Sequence, residues 1–314
     1  MQSDRGKSHL AGTVLAVTVI AIVTADSVGA QKRPAPPAPA FRADSTLVLV
    51  PVAVIDRRGA IVNGLASGAF TLTEDGVRQQ IRSFSEEDAP VSMGIVLDLS
   101  GSMRGVLGAA KESLRAVMKD ANPTDEAFLN TVSTRPRAYS GFTRYFDEIL
   151  SRLAFESAGG DTALIDTIFE SLHELRSGIY ARKVLLIISD GMDNHSRYSR
   201  GEVLDLAVES DAQIYTIAVD QAAQYSKPME QMEERRGRLF LDELAAKTGG
   251  LSFVVRGGKD VAEASATIGQ ALRNQYIIGY VPWGDDRSAR WHRITVKVAG
   301  SGIRAYARAG YRLN

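Results

Sequence analysis

The chain has 314 residues, 45% apolar and 24% charged, an ordinary composition for a globular protein of one large domain or two smaller ones. Lysine plus arginine and aspartate plus glutamate each number 37, so net charge gives no argument for nucleic acid or a membrane surface as partner. The absence of cysteine excludes disulfides, thiolate metal centres, iron–sulfur clusters and a cysteine nucleophile.

At the start, Arg5 and Lys7 precede an apolar run from Leu10 to Val23, and Val28-Gly29-Ala30 supplies small residues behind it. That is the pattern of a secretory signal over residues 1–30, cut after Ala30. The run is short for a bilayer span, which needs about 20 apolar residues, so stable membrane insertion is not expected after cleavage. The sequence therefore predicts an exported protein of the periplasm, cell surface or surrounding medium. Residues 31–44 are rich in proline and alanine and read as an extended tether.

Residues 45–88 form a β segment. Leu47 to Ile55 is an apolar strand, Asp56-Arg57-Arg58-Gly59 a turn, and Ala69 to Leu72 a second strand. Glu74-Asp75-Gly76 is a second turn, and Val77 to Phe84 alternates as a third strand. From Val91 the rhythm becomes strand and helix in turn. Strands are expected at 93–98, 126–133, 183–189, 213–219 and 251–255. Helices are expected near 104–120, 144–155, 163–176, 200–210, 239–247 and 259–274. Tyr225 to Arg238 reads as a polar insert, either solvated loop or helix. Strands 184–188 and 214–219 are apolar on successive residues, as in a parallel sheet covered on both faces. Residues 91–274 are thus expected to form an open, doubly wound, mostly parallel α/β domain.

After Gln275 the pattern returns to β, with strands at Tyr276–Val281, Trp291–Val298 and Ile303–Tyr311. Strands on both sides of the α/β unit suggest one small β-sandwich split in sequence, 45–88 packing with 275–314; two separate lobes are the alternative. The basic residues of the last 30 positions, spaced as on a strand, read as a solvated sheet face.

The chemistry concentrates in three loops. Asp98, Ser100 and Ser102 follow the apolar run Met93–Leu97 on alternate positions, so their oxygens point the same way in extended backbone. Thr162 follows Gly159-Gly160-Asp161, and Asp190 ends the run Val184–Ile188. Ligands of open α/β sheets gather at the carboxyl ends of the strands. Two carboxylates and three hydroxyls make a hard, all-oxygen donor set suited to Mg²⁺, Mn²⁺ or Ca²⁺. Five side chains leave that shell incomplete, and a carboxylate from a protein partner is the natural further ligand.

The pattern Asp98-x-Ser100-x-Ser102, then Thr162 after a glycine pair, then Ser189-Asp190-Gly191 resembles the metal-ion-dependent adhesion site (MIDAS) of von Willebrand factor A (vWA) domains. The resemblance covers about residues 91–274. It implies a central, mostly parallel sheet ringed by helices, with one short antiparallel edge strand, here near 126–133. It further implies a protein-binding role in adhesion or assembly, not an enzyme. Asp56-x-x-Gly59, Phe70 to Glu74-Asp75-Gly76, Ile81 to Phe84 and Arg308-Ala309-Gly310-Tyr311 also resemble flanks of secreted bacterial proteins that carry such a domain.

Other readings of the same residues stand beside this one. Ser100 or Ser102, and Asp161 or Thr162, are suited to cap the helices that follow them, and Asp190-Gly191 to form a plain turn. Met192, Asp193 and Asn194 read equally as partner contacts or as a polar loop. For a hydrolase, His195 is the sole candidate base, and no Gly-x-Ser-x-Gly elbow or Walker-type lysine loop occurs. A purely structural envelope protein is the third class, although no internal repeat is present.

Overall fold

Runs of branched apolar residues set the central layer. In the computed structural model, which describes residues 47–312 other than 120, 221–226, 257 and 283–290, six strands form one sheet. They are β5 (Val91–Asp98), β6 (Glu126–Val132), β7 (Arg137–Thr143), β8 (Arg182–Ser189), β9 (Gln213–Val219) and β10 (Ser252–Val255), in the order β10-β9-β8-β5-β6-β7. The expected signal sequence and Pro/Ala tether lie outside the described residues.

Every residue of β5 and β9 is buried. Alternate side chains serve two cores. Val184, Leu186 and Ile188 face α1 (Leu107–Lys119), α2 (Phe146–Leu153) and α6 (Gly258–Arg273). Leu185 and Ile187 face α3 (Leu164–Leu175), α4 (Arg200–Glu209) and α5 (Pro228–Thr248). Each such side chain taken from water contributes about 1.5–3 kcal/mol, which is why the strands read as unbroken apolar runs.

Three expectations are corrected. β6 pairs in parallel with β5, and the antiparallel edge strand is β7, paired to β6. Residues 126–133 are therefore not the antiparallel strand. β7 (Arg-Ala-Tyr-Ser-Gly-Phe-Thr) lies at the sheet edge, where one-sided burial imposes no apolar run. Second, the helix expected at 239–247 begins at Pro228, eleven residues earlier. Its first nine residues bury only Glu234, so they carry no apolar period. Proline at the first position, strong helix formers and the pairs Lys227–Glu230, Glu233–Arg236 and Glu234–Arg238 support this half instead. Third, Val77 to Phe84 is two strands, β3 (Val77–Gln79) and β4 (Ile81–Glu87), which belong to different sheets.

The flanking strands form two further four-stranded sheets. In one, β1 (Val48–Asp56) lies between β11 (Gln275–Tyr280) and β13 (Ile303–Ala307), with β4 outside β11. In the other, β12 (His292–Val298) lies between β2 (Phe70–Glu74) and β14 (Gly310–Tyr311), with β3 outside β2. Strands from both ends of the sequence thus share sheets. Val50, Val52, Val54, Phe70, Leu72, Tyr276, Ile278, Tyr280, Ile294 and Tyr311 enclose one apolar cluster.

The basic tail is used in two ways. Arg293, Lys297 and Arg304 are exposed on alternate positions, as expected. Arg308 instead pairs with Asp211, and Arg312 with Asp205 and Glu209 at 2.8 and 2.6 Å, which fastens the chain end to α4 and the turn after it. Among the described residues no helix is long and apolar enough to cross a membrane.

Candidate functional site

Five parallel strands place their carboxyl ends on one side, and Asp98 and Asp190 stand at adjacent ends, those of β5 and β8. Both are fully buried, as are Ser100 and Ser189, and Thr162 is nearly so. The two aspartates are held alike. Asp98 Oδ1 accepts the Ser100 N–H at 2.8 Å, and Asp190 Oδ1 accepts the Met192 N–H at 3.0 Å. Each carboxylate is thereby fixed by its own loop. The Ser100 and Ser102 hydroxyls lie 3.0 Å apart. Neither Ser100, before the short 3-10 turn Gly101–Gly105, nor Ala163, before α3, makes a side-chain cap.

Backbone hydrogen bonds join the loops. Gly101 N donates to Gly160 O at 3.0 Å, and Gly159 N to Leu99 O at 2.7 Å. Leu99 N and Ala163 N reach the end of β6 and the residue after it, at Val132 O and Ser133 O. Ser189, which separates Asp190 from the body of β8, bridges the carboxylate loops. Its Oγ donates to Asp98 Oδ2 at 2.6 Å and accepts from Gly191 N at 2.9 Å.

Electrostatics sharpen the picture. Burial, and then the neighbouring Asp190 carboxylate, push Asp98 up to about 7, although hydrogen bonds from Ser100 and Ser189 pull the other way. Among the described residues no lysine, arginine or histidine pairs with Asp98. Behind Asp190, burial also raises Glu234 of α5, with Arg238 opposing and Asp220 and Asp190 adding to it. Helix α5 reaches this point because Gly191 (φ 81°) and Gly237 touch backbone to backbone. A Cβ on Gly237 would lie 1.9 Å from Gly191 O.

Met192, Asp193 and Asn194, read from the sequence as either rim or polar loop, prove structural in part. Asn194 Oδ1 accepts the Thr162 N–H at 2.9 Å, and Asp193 Oδ1 accepts that of Ile165 at 3.1 Å. Ser196 Oγ accepts that of Asp166 at 3.1 Å. The first-turn N–H groups of Ile165 and Asp166 are therefore capped from the Asp190 loop, not from within their own chain segment, and Asn194 holds Thr162 just before the helix. In return, the buried Asp166 accepts Arg197 N at 2.8 Å, Tyr198 N at 3.0 Å and the Arg197 guanidinium at 3.1 Å. His195 is half exposed, 4.0 Å from Asp161. The sequence showed Ser189 only as part of the Ser189-Asp190-Gly191 motif, without a role for it, and did not point to Asp166 or Gly237. The only signal in the sequence was the polar run Asp193-Asn194 after Asp190.

Burial alone would raise the Asp166 pKa, but the two backbone N–H donors and Arg197 more than compensate, and it sits below the usual value. A depressed carboxylate stabilises the fold above its unfolded pKa, and the effect fades as pH falls through the folded one. Asp166→Asn is therefore expected to destabilise the protein by about 1–3 kcal/mol at pH 7. The gap to wild type should shrink below about pH 4, as read by urea melts across pH.

Another potential ligand group lies in the flanking sheets, where Glu74, Asp75 and His292 approach within 4.8 Å. Its atoms are engaged: His292 Nδ1 with Asp75 at 3.0 Å, and Glu74 with the Tyr311 hydroxyl at 2.5 Å.

Comparison with known proteins places this unit. Residues 93–192 match the family model of the von Willebrand factor type A domain, a span that takes in all three loops. A von Willebrand factor type A protein from Catenulispora acidiphila is 12% identical, with a TM-score of 0.50 over 86% of this chain and 75% of that one. Proximal thread matrix protein 1 from the mussel byssus, solved with a zinc-occupied MIDAS motif, is 16% identical. Its TM-score is 0.50, over 64% of this chain and 50% of its own. BatB of Bacteroides thetaiotaomicron gives 17% identity and 0.47, over 58% and 98% of the two chains. At these identities the first two likenesses concern the fold. No curated protein matches the sequence.

Proposed function

We propose that this chain is a cation-dependent protein-binding module of the cell envelope, working in adhesion or assembly and not as an enzyme. Asp98, Ser100, Ser102, Thr162 and Asp190 would hold one divalent cation, Mg²⁺ or else Mn²⁺ or Ca²⁺, and an acidic side chain of a partner protein would complete its shell. The observation that carries this reading is the buried Asp98 beside Asp190. Two buried carboxylates close enough for one to act on the other, with hydroxyls around them and, among the described residues, no basic side chain paired to Asp98, are a donor set that a hard cation neutralises. Hydroxyl ligands leave such an ion more of its charge than carboxylates would. That charge is the chemistry the cation supplies to a partner.

The chain's own residues do the rest. Ser189 and the backbone N–H groups of Ser100 and Met192 orient the carboxylates. Exposed Arg104 and Arg135, on two of the loops around the site, favour an acidic partner surface. The vWA match supports a role in protein interaction, and the sequence start supports export. In this reading residues 45–88 and 275–314 are one split β-sandwich that carries the 91–274 domain.

The reading is tested by thermal melting. A cation at 100 times its Kd stabilises by about 2.7 kcal/mol, a rise of roughly 5–10 °C for a domain of this size. Millimolar Mg²⁺ or Mn²⁺ is expected to give that rise with wild type and none with an Asp98→Ala, Asp190→Ala double variant. An equal rise in both overturns the assignment. Partner capture from an envelope extract should fail in EDTA, and capture that ignores the chelator refutes the metal bridge.

A further inference from the structure

We propose that Asn194 is the positioning residue of the metal site, a role that rests on the cation reading above. It fixes Thr162 through both ends of that residue's backbone. Thr162 N donates to Asn194 Oδ1 at 2.9 Å, and Thr162 O accepts from Asn194 N at 3.0 Å. His195 N donates to the same carbonyl at 3.0 Å. A residue whose N–H and C=O are both held has little freedom left in φ and ψ, so its Cβ has one direction and the hydroxyl on it only the few rotamers of a β-branched side chain. Asn194 stands four residues beyond Asp190 on the same loop. Thr162, from the loop between α2 and α3, and Asp190, from the end of β8, are thereby tied together.

The other end of the loop is closed as firmly. Asp166 of α3 accepts Arg197 N and Tyr198 N, while Asp193 and Ser196 accept from α3 at Ile165 N and Asp166 N. Residues 193–198 are therefore stapled to the helix start at four points besides Asn194. Capping of α3 accounts for Asp193 and Ser196. It does not account for Asn194, whose bonds go to Thr162, two residues before the helix begins. The Asp98–Ser102 loop joins this pair through the β5–β8 ladder and through Gly101 N to Gly160 O, Gly159 N to Leu99 O, and Ser189 to Asp98.

Groups that orient a ligand from behind typically account for 10- to 100-fold in metal affinity. Mn²⁺ titration by calorimetry is the test, on wild type, Asn194→Ala and Asn194→Asp, each also in a Thr162→Ala background. Asn194→Ala is expected to weaken Mn²⁺ by about 10- to 100-fold. Asn194→Asp keeps an acceptor oxygen and should recover most of that loss. In the Thr162→Ala background, Asn194→Ala should add little, because the residue it aims has lost its hydroxyl. A merely structural role would give the same loss in both backgrounds and no rescue by aspartate, and either result overturns the proposal. Should Asn194→Ala fail to fold, Asn194→Gln, which displaces the amide by one methylene, takes its place. Wild type that binds Mn²⁺ beside an unaffected Asn194→Ala sinks this inference alone. Wild type that binds no cation sinks the functional reading with it.

Discussion

In EDTA at pH 8, Asp98→Asn is expected to be more stable than wild type, and in millimolar Mg²⁺ the order is expected to reverse. The physical reason lies in the buried carboxylate pair. A pKa raised from 3.8 to about 7 means that the fold disfavours the charged form of Asp98, by about 4 kcal/mol on this scale. Below about pH 4 the group is protonated in both folded and unfolded chains, and the penalty is absent. It grows as pH rises and is complete above about 7. Metal-free wild type should therefore lose stability from pH 4 to 7, whereas the variant should not lose that part. Asparagine keeps the acceptor for the Ser100 N–H but turns Ser189 from donor to acceptor at the other atom, which costs about 1 kcal/mol. A net gain of about 1–3 kcal/mol remains, read as a higher melting point in chelator. With a cation the wild-type charge becomes an asset, and the variant, lacking it, should show no shift. Wild type more stable than Asp98→Asn in EDTA at pH 8 would contradict the account.

A change more than 40 residues away in sequence is expected to do comparable damage. Gly237→Ala puts a methyl where Gly191 O lies 1.9 Å off and Gly191 C 2.3 Å off, and neither is the movable end of a side chain. Either α5 swings outward or the residue after Asp190 retreats. Gly191 holds a left-handed φ of 81°, and Gly191 N is bonded to the Ser189 hydroxyl that also holds Asp98. The retreat is therefore transmitted to both carboxylates. Overpacking of this kind costs about 1–3 kcal/mol or more, and the Mn²⁺ affinity should fall at least tenfold. Gly108→Ala is the matched control, in the first turn of α1 with nothing within 4 Å of the added carbon. It should be neutral, or stabilising by up to about 1 kcal/mol. A Gly237→Ala protein with wild-type melting and wild-type Mn²⁺ affinity would show that the contact is not binding on the site.

The elements with the strongest periodic signals were legible to within a residue or two. Helix α3 shows Leu164, Ile165, Ile168 and Leu172 on its buried side, and β9 matches its expected bounds. Where the signal was silent, the reading erred. The first nine residues of α5 bury only Glu234, so no apolar stripe marks them. β7 sits at a sheet edge, and Gln80 breaks one alternating run into strands of two sheets, which period alone cannot reveal.

For the candidate site, local sequence determined the donor types and which loops carry them. Alternation after a buried strand aims oxygens together, and strand ends in an open α/β sheet lie on one side. Only the tertiary structure decided which groups hold those donors in place. Ser189 as a bridge to Asp98, Asn194 as a clamp, Asp166 as a staple and Gly237 as a backstop act across 30 to 91 residues of chain for the bonded pairs. Such contacts arise from loops meeting in space, and a polar side chain's partner, unlike its periodicity, leaves no trace in the order of its neighbours.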